Sequence, residues 1–357
     1  MDRILFFIPD LGKGGAERIL VNIANKISQD YADKYCVMIA LAQKEGYYVD
    51  LVNPRVSIID LNTKRVSKSV LLLIKLIRRY HKDNLHFISF LGYANIFAII
   101  AAYLSLCRSK VDLIVSERNH IPWGSGIKCT IVYLLQKVLY RKCNSIITIG
   151  DSISEEIEKK LHVAPQKLHT IYNPLTLGKI SKLPDSSFDK NICNIITAGR
   201  LIPVKDFPLL IKAFAIINSK IQSKLWILGE GPEKEHLELE TKTLGIQEHV
   251  KMCGFVDNPI SYFQNADVYV CSSISEGFAN VVLEAMAAGT RIVTMSCGGP
   301  DEILENGKWG TIVYERDPQK LADAILSSLD TVVPDYSERL KSFDINTIVA
   351  QYIDVLK

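Results

Sequence analysis

Residues 193–218 read CNIITAGRLIPVKDFPLLIKAFAIIN, and this stretch decides the fold. Cys193–Ala198 is a short, mostly apolar run, as a strand covered on both faces requires. Gly199 opens a loop that ends at Asp206, and an apolar stretch of helix length follows. Strand, loop and helix in that order make one half of a βαβ unit. Working outward, the same unit recurs. Upstream, strands are expected at Arg3–Ile8, Tyr35–Leu41, Phe87–Phe90, Leu113–Ser116 and Ser145–Ile149. Downstream they are expected at Lys224–Leu228, Val250–Cys253, Val268–Ser272 and Arg291–Met295. Amphipathic segments lie between them, so the pattern predicts an α/β chain with parallel sheets. The alternation breaks near Tyr172-Asn173-Pro174, ahead of a polar stretch over 178–190. We read two doubly wound domains facing each other across a cleft, over 1–172 and 173–342. A length of 357 residues suits two such domains better than one core.

The composition excludes several classes. With 48% apolar and 23% charged residues, 20 Gly and 13 Pro, the chain is not disordered, collagenous or of low complexity. Its eight cysteines are all at least 14 positions apart, which removes CxxC redox pairs and clustered zinc ligands and suits buried thiols in a reducing cytosol. The opening MDRILFFIPDLGKGG has no basic start and an apolar run of only five residues, so no signal peptide is expected. Phe87–Cys107 is 21 residues without a charge, long enough to cross a bilayer. Gly92 and Asn95 interrupt it, and it reads instead as a strand, a turn and a helix over Ile96–Leu106.

The net charge of +3 hides an asymmetry. Residues 1–172 hold 24 Lys and Arg against 15 Asp and Glu, while residues 173–357 hold 18 against 24. A basic half beside an acidic half suggests that the first faces something anionic, with an unevenly charged solvated surface as the alternative. Lys64–Lys82 sharpens the point. Read as one helix at 100° per residue, it gathers Lys64, Arg65, Lys68, Lys75, Arg78, Arg79 and Lys82 within about 140° of arc. Val66, Val70, Leu73, Ile74, Ile77 and Tyr80 take the other side. No carboxylate occurs before Asp83, so ion pairing along the helix does not explain the face. Such a helix suits lipid headgroups or pyrophosphate.

Three segments leave expected strands and enter expected helices, where open α/β sheets bind ligands. In Pro9-Asp10-Leu11-Gly12-Lys13-Gly14-Gly15-Ala16-Glu17 the glycines let backbone N–H groups approach an anion at a helix start. This is not a dinucleotide fingerprint, because Glu17 stands where the third glycine would be. In Gly199–Asp206, Arg200 offers a fork and Lys205 a point charge, suited to a leaving diphosphate. In Ser275–Glu284, Glu276 lies in a loop and Glu284 one turn into a helix over about Asn280–Ala288. The two acids flank N–H groups that aim at an anion, and they suit the hydroxyls of a sugar and a ribose.

Gly14-Gly15-Ala16-Glu17, Gly199-Arg200-x4-Lys205, Gly229-Glu230-Gly231-Pro232, Gly254-Phe255-Val256 and Glu276-x7-Glu284 stand in the same order as in family 4 glycosyltransferases, which the chain resembles over nearly its whole length. The resemblance implies the GT-B fold, two Rossmann-like domains with the reaction between them, and retention of anomeric configuration. It implies that 173–342 binds a nucleotide-diphosphate sugar and that 1–172 binds the acceptor. By the same resemblance, 343–357 holds a helix that packs back on the first domain. Carried over, Arg200 and Lys205 hold the diphosphate, Glu284 the ribose and Glu276 the transferred sugar. Phe278, Ala279 and Asn280 present backbone to phosphate or sugar, with Gly15 on the opposite wall. Gly229 belongs to the donor site, and Phe255 and Val256 meet a base that the resemblance suggests is uridine.

One position departs from the family. Many members carry a His after the fourth strand of the first domain, and here Glu117 holds that seat. Ser116-Glu117-Arg118-Asn119 is similar to a subgroup that extends lipid-linked oligosaccharides with galactose-type or N-acetylated sugars, and by that resemblance Glu117, Arg118, Asn119 and His120 are expected to bind the acceptor. That subgroup also grips acceptor pyrophosphate with a basic helix, a role that falls to Lys68, Lys75, Arg78, Arg79 and Lys82. The expected partners are a nucleotide-sugar, a lipid-linked or glycan acceptor and an anionic membrane surface, with no nucleic acid. The expected location is cytoplasmic, on the inner face of the plasma membrane. No two Asp residues are two apart, so the usual Asp-x-Asp metal ligand is missing from the sequence, and no metal or cofactor is expected. Alternatives are an epimerase of the same fold, a dinucleotide oxidoreductase and a non-catalytic membrane-associated binding protein.

Overall fold

The structure is a computed structural model that describes residues 1–121, 126–176, 188–256 and 258–356. The polar connection expected over 178–190 lies mostly outside the described residues. The chain divides into two compact units, Met1–Pro174 with Phe343–Lys357, and Leu175–Ser342.

In the first unit the strands are β1 (Asp2–Ile8), β2 (Tyr35–Leu41), β3 (Ser57–Asp60), β4 (Leu85–Phe90), β5 (Val111–Glu117), β6 (Ser145–Thr148) and β7 (Leu168–Thr170). They form one parallel sheet in the order β3-β2-β1-β4-β5-β6-β7. Its helices are α1 (Gly15–Asp30), α2 (Val70–Tyr80), α3 (Gly92–Leu104), α4 (Ile127–Leu139) and α5 (Asp151–Leu161). In the second unit β8 (Cys193–Ala198), β9 (Ser223–Leu228), β10 (Val250–Gly254), β11 (Val268–Cys271), β12 (Arg291–Met295) and β13 (Thr311–Val313) form a parallel sheet ordered β10-β9-β8-β11-β12-β13. Its helices are α6 (Phe207–Asn218), α7 (Lys234–Thr243), α8 (Ile260–Phe263), α9 (Asn280–Ala287), α10 (Gly299–Ile303), α11 (Pro318–Leu329) and α12 (Ser337–Lys341). The last helix, α13 (Ile345–Val355), belongs to the first unit, where Ile348, Val349, Tyr352 and Ile353 join the core that α1 builds with Ile19, Ile23 and Ile27.

The central strands form because helices cover them on both sides. Ile4 through Ile8 of β1 are all buried, so alternation of polar and apolar residues would leave unpaired polar groups in the core. Leu225–Leu228 of β9 are buried in the same way, with the indole of Trp226 donating to Asn194 at 3.0 Å. Phe87–Cys107 resolves into β4 and α3, and no helix among the described residues is long and apolar enough to cross a membrane. All eight cysteines are free thiols.

Two expectations change. The sheets contain β3, β7 and β13, which the sequence pattern did not announce. The basic segment is not one helix over 64–82. Arg65 is extended, Val66–Ser69 is a 3-10 turn, and α2 begins at Val70. The buried Ser69 hydroxyl, 2.6 Å from the Thr63 hydroxyl, ties that turn to the loop before it.

Candidate functional site

In each sheet the strand order reverses at one point, between β1 and β4 and between β8 and β11. Loops leaving neighbouring carboxyl ends there diverge and leave a crevice. At the second switch point the two loops are Gly199–Asp206 and Ser272–Ala279. Pro203 begins the 3-10 turn Pro203–Lys205, and Asp206 starts α6 from the left-handed region with φ of 45°. The stem of Lys205 packs over Gly199, whose missing side chain leaves room for it. The Lys205 ammonium pairs with Oε1 of Glu276, and the Ser273 hydroxyl donates to the same oxygen at 2.6 Å. Burial disfavours the charge on Lys205, but the Glu276 carboxylate more than offsets this and holds the ammonium pKa above its ordinary value.

Backbone bonds fasten the two loops together. Ser272 Oγ donates to the Lys205 carbonyl at 2.8 Å, and Ile274 N donates to the Val204 carbonyl at 2.8 Å. Arg316, between β13 and α11, clamps them from outside. Its Nη1 donates to the Ser273 carbonyl at 2.9 Å, and its Nη2 donates to the Ser272 carbonyl at 2.5 Å and to Asp206 Oδ2 at 2.7 Å. Glu276 is fixed through its own backbone, with N donating to the Cys297 carbonyl at 2.8 Å and O accepting from Gly299 N at 3.0 Å. A side chain at Gly299 would overlap the backbone of Phe278.

Ala279 lines the same cavity as Lys205, Ser273 and Glu276, and it caps α9 in the left-handed region with φ of 63°. Asn280 opens that helix, whose first turn carries the positive end of the dipole. Phe278 and Glu284 are buried. Arg200 is exposed and has no ion pair among the described residues. Gly229, with φ of 142°, donates to the Gly254 carbonyl at 2.7 Å. A Cβ at Gly229 would strike the Gly199 carbonyl, so this glycine allows the β8 and β9 exit loops to touch. Phe255 is exposed and Val256 partly so.

In the first unit, Asp10 Oδ1 accepts from Gly12 N at 2.9 Å, Gly14 caps α1 and Gly15 begins it. The Glu17 carboxylate fills the space beside Gly14, and burial raises its pKa. Lys68, Lys75, Arg78, Arg79 and Lys82 are exposed. Arg78 Nε also donates to the Ser105 carbonyl at 3.0 Å, and Arg79 lies over the Tyr80 ring.

Glu117 and Arg118, expected to bind the acceptor, are both buried. Glu117 is 3% exposed, its Oε2 accepting from Tyr140 Oη at 2.5 Å and from Gln136 Nε2 at 3.4 Å. Its Oε1 accepts from Arg118 N at 3.1 Å, and Gly92 leaves room for the carboxylate. Burial raises its pKa, although these hydrogen bonds oppose the rise. Arg118 is buried over the Phe90 ring, and burial lowers its pKa. Both side chains shape the β5 exit from within. Asn119 is exposed, and His120 Nδ1 lies 2.9 Å from Glu156 Oε2, which also accepts from Ile121 N at 3.1 Å.

The sequence reading missed Ser273 and Arg316. Neither stands in a recurring spacing: Arg316 acts through backbone carbonyls and a carboxylate far away in the chain, and Ser273 through a carboxylate three residues on. Among the described residues, no group of three or more His, Cys, Asp or Glu is gathered as metal ligands.

Two family models match the chain in succession. One, described as Glycosyltransferase Family 4, covers residues 13–179, and the other, Glycosyl transferases group 1, covers residues 182–342. Among curated proteins, the Campylobacter jejuni N-acetylgalactosamine-N,N'-diacetylbacillosaminyl-diphospho-undecaprenol 4-alpha-N-acetylgalactosaminyltransferase is 27% identical over 92% of this chain and 91% of its own. A second protein of that organism is also 27% identical, over 100% and 98%. It is the GalNAc-alpha-(1->4)-GalNAc-alpha-(1->3)-diNAcBac-PP-undecaprenol alpha-1,4-N-acetyl-D-galactosaminyltransferase. Among solved structures, Anabaena HepE in complex with UDP-glucose superposes with a TM-score of 0.80 at 20% identity, over 100% of this chain and 99% of that one. WaaG, a glycosyltransferase of lipopolysaccharide biosynthesis, gives 0.69 at 14%, over 99% of each chain.

Proposed function

The chain belongs to the family 4 glycosyltransferases and has the GT-B fold, and from that premise we propose that it transfers a hexose or N-acetylhexosamine, with retention, from a UDP-sugar to a lipid-pyrophosphate-linked glycan. The product would serve surface polysaccharide or glycoprotein glycan synthesis. The unit holding β8–β13 takes the donor and the unit holding β1–β7 takes the acceptor. Lys75, Arg78 and Arg79, with Lys68 and Lys82, meet the acceptor's pyrophosphate or the anionic headgroups around it. The enzyme then works at the cytoplasmic face of a membrane. The names of the Campylobacter relatives support this choice of acceptor.

One observation carries the proposal. At the second switch point Lys205 is paired with Glu276 beside Ser273 and the start of α9. Breaking the bond from the anomeric carbon to phosphate leaves the electron pair on the diphosphate. Arg200, Lys205 and the α9 amides stabilise that charge where it develops. The charge needed for departure thus comes from side chains and backbone, without a bound metal. Glu276 orients the sugar, and Glu284 the ribose. The acceptor hydroxyl attacks the face that the diphosphate leaves, and its proton passes to a phosphate oxygen. We prefer this course to a glycosyl-Glu276 intermediate. A carboxylate already bonded to Lys205 and Ser273 is a poor nucleophile.

The test combines turnover with stereochemistry. Chelator-treated enzyme, given UDP-sugars and an undecaprenyl-pyrophosphate glycan, should keep its full rate and deliver an α-linked product from an α-linked donor. Activity lost to chelator and restored by magnesium would refute metal independence. Donor epimerised or hydrolysed as fast without acceptor would favour an epimerase.

A further inference from the structure

In a surface helix apolar residues normally face the core and polar ones face water. Helix α4 carries a second apolar face that is turned outward, besides the half-buried Cys129, Val132, Tyr133 and Leu139. Ile127, Ile131, Leu134, Leu135 and Val138 fall within about 100° of arc, and all five are exposed, Ile127 at 81% and Val138 at 58%. Its inward side carries Gln136 and, just past its end, Tyr140, both bonded to Glu117. Hydrogen bonds to Glu117 thus help to anchor the helix while its outer apolar stripe faces outward.

The surroundings select what covers that stripe. Helix α3 packs beside α4 and ends in exposed Tyr103 and Leu104, followed by Leu106 at 86% exposure. Tyr103 Oη and Arg108 Nη2 both donate to the Lys142 carbonyl, and Lys142 Nζ lies over the Tyr103 ring. Arg78 Nε reaches the Ser105 carbonyl, which brings the end of α2 to the same place. Residues 64–82, 91–110 and 126–142, which span these three helices and their flanks, contain thirteen Lys and Arg and no Asp or Glu. A two-fold contact between copies of this chain would set those cations against one another. A surface that is apolar within and anionic at its boundary complements both features.

We propose that α4 is a membrane-insertion element. It lies in the plane of a bilayer with its outward stripe at the acyl boundary, while the cations at the ends of α2, α3 and α4 meet anionic phospholipid headgroups. The inference extends the membrane-facing reading above, which was assigned to the basic segment around α2. Its readout is vesicle binding rather than turnover, so it stands or falls apart from the transferase assignment.

The experiment is sedimentation of the full chain with vesicles of phosphatidylglycerol and phosphatidylethanolamine. Wild type should bind, and should bind at least tenfold less to pure phosphatidylcholine. Ile131→Ser/Leu134→Ser/Val138→Ser should bind the anionic vesicles at least tenfold less than wild type, with the same melting temperature. Leu134→Trp should show a blue-shifted emission only when vesicles are present. Undiminished binding of the triple variant, or no shift from the tryptophan, overturns the proposal. So does a wild-type dimer in solution that the triple variant abolishes while vesicle binding stays intact, which would give the stripe to a second copy.

Discussion

Replacing Lys205 with methionine keeps a stem of similar length over Gly199 and removes only the charge. The structure indicates two separate costs. Lys205 and Glu276 are 20% and 14% exposed, so the variant leaves a mostly buried carboxylate with Ser273 as its remaining side-chain partner. Orphaning one member of a fully buried pair costs about 3–5 kcal/mol. Partial exposure and the Ser273 bond reduce this to about 2 kcal/mol, and a unit of this size should then melt about 4–8 °C lower. The second cost falls on the reaction, where losing one preorganised group opposite a developing charge removes about 2.7–4 kcal/mol, or roughly 100- to 1000-fold in rate. Lys205 has a raised pKa, so the stability it contributes is complete below the ordinary lysine range and is lost only as pH climbs through its higher folded value. From about pH 6 to 9 the gap between wild type and variant should therefore stay flat. Adding Glu276→Gln to Lys205→Met removes the stranded charge. The double variant should recover most of the melting temperature and none of the rate. Calorimetry and single-turnover kinetics on the three variants check this. A Lys205→Met rate within threefold of wild type, or a double variant that regains turnover, would refute the reasoning.

Arg316 touches no expected ligand, yet it fastens both loops that carry Lys205 and Glu276. Arg316→Met should lower kcat about 10- to 100-fold with less change in donor KM, because a shift of about 1 Å at the reacting groups is enough for such a loss. Steady-state kinetics with Arg316→Lys as the conservative control tests it. Glu117 yields a prediction about pH. Its pKa is raised by burial, so the folded protein holds a proton that the unfolded chain sheds, and stability falls as pH rises through the interval between the two values. Glu117→Gln should lose that slope and gain on wild type from acidic to neutral pH, as measured by urea midpoints at several pH values.

The central strands were legible because burial on both faces leaves an uninterrupted apolar run. The edges were not. Ser57-Ile58-Ile59-Asp60, Leu168-His169-Thr170 and Thr311-Ile312-Val313 are short and only partly covered, so neither a run nor an alternation marks them. The basic segment misled because helical periodicity continues on paper through Val66–Ser69, whereas Ser69 bonds the Thr63 hydroxyl and turns the chain there. Lys205 and Glu276 could each be placed at a strand exit, but their pairing spans 71 residues and depends on β8 lying beside β11. Glu117 shows the opposite difficulty. A carboxylate ending an apolar strand resembles a displayed group, and only the fold supplies the inward partner Tyr140.

Ala279 has a consequence beyond its place in the cavity wall. An alanine in the left-handed region costs about 1–2 kcal/mol, so its neighbours, not its own preference, hold the shape. The entrance to α9 is therefore set before any anion arrives, and a docking phosphate loses little free energy to ordering that turn. The imprint should appear in kinetics, as rapid capture with scarcely any rearrangement. Glycine at this position would ease the backbone and blur its aim, giving a sturdier protein with a slower grip on its donor.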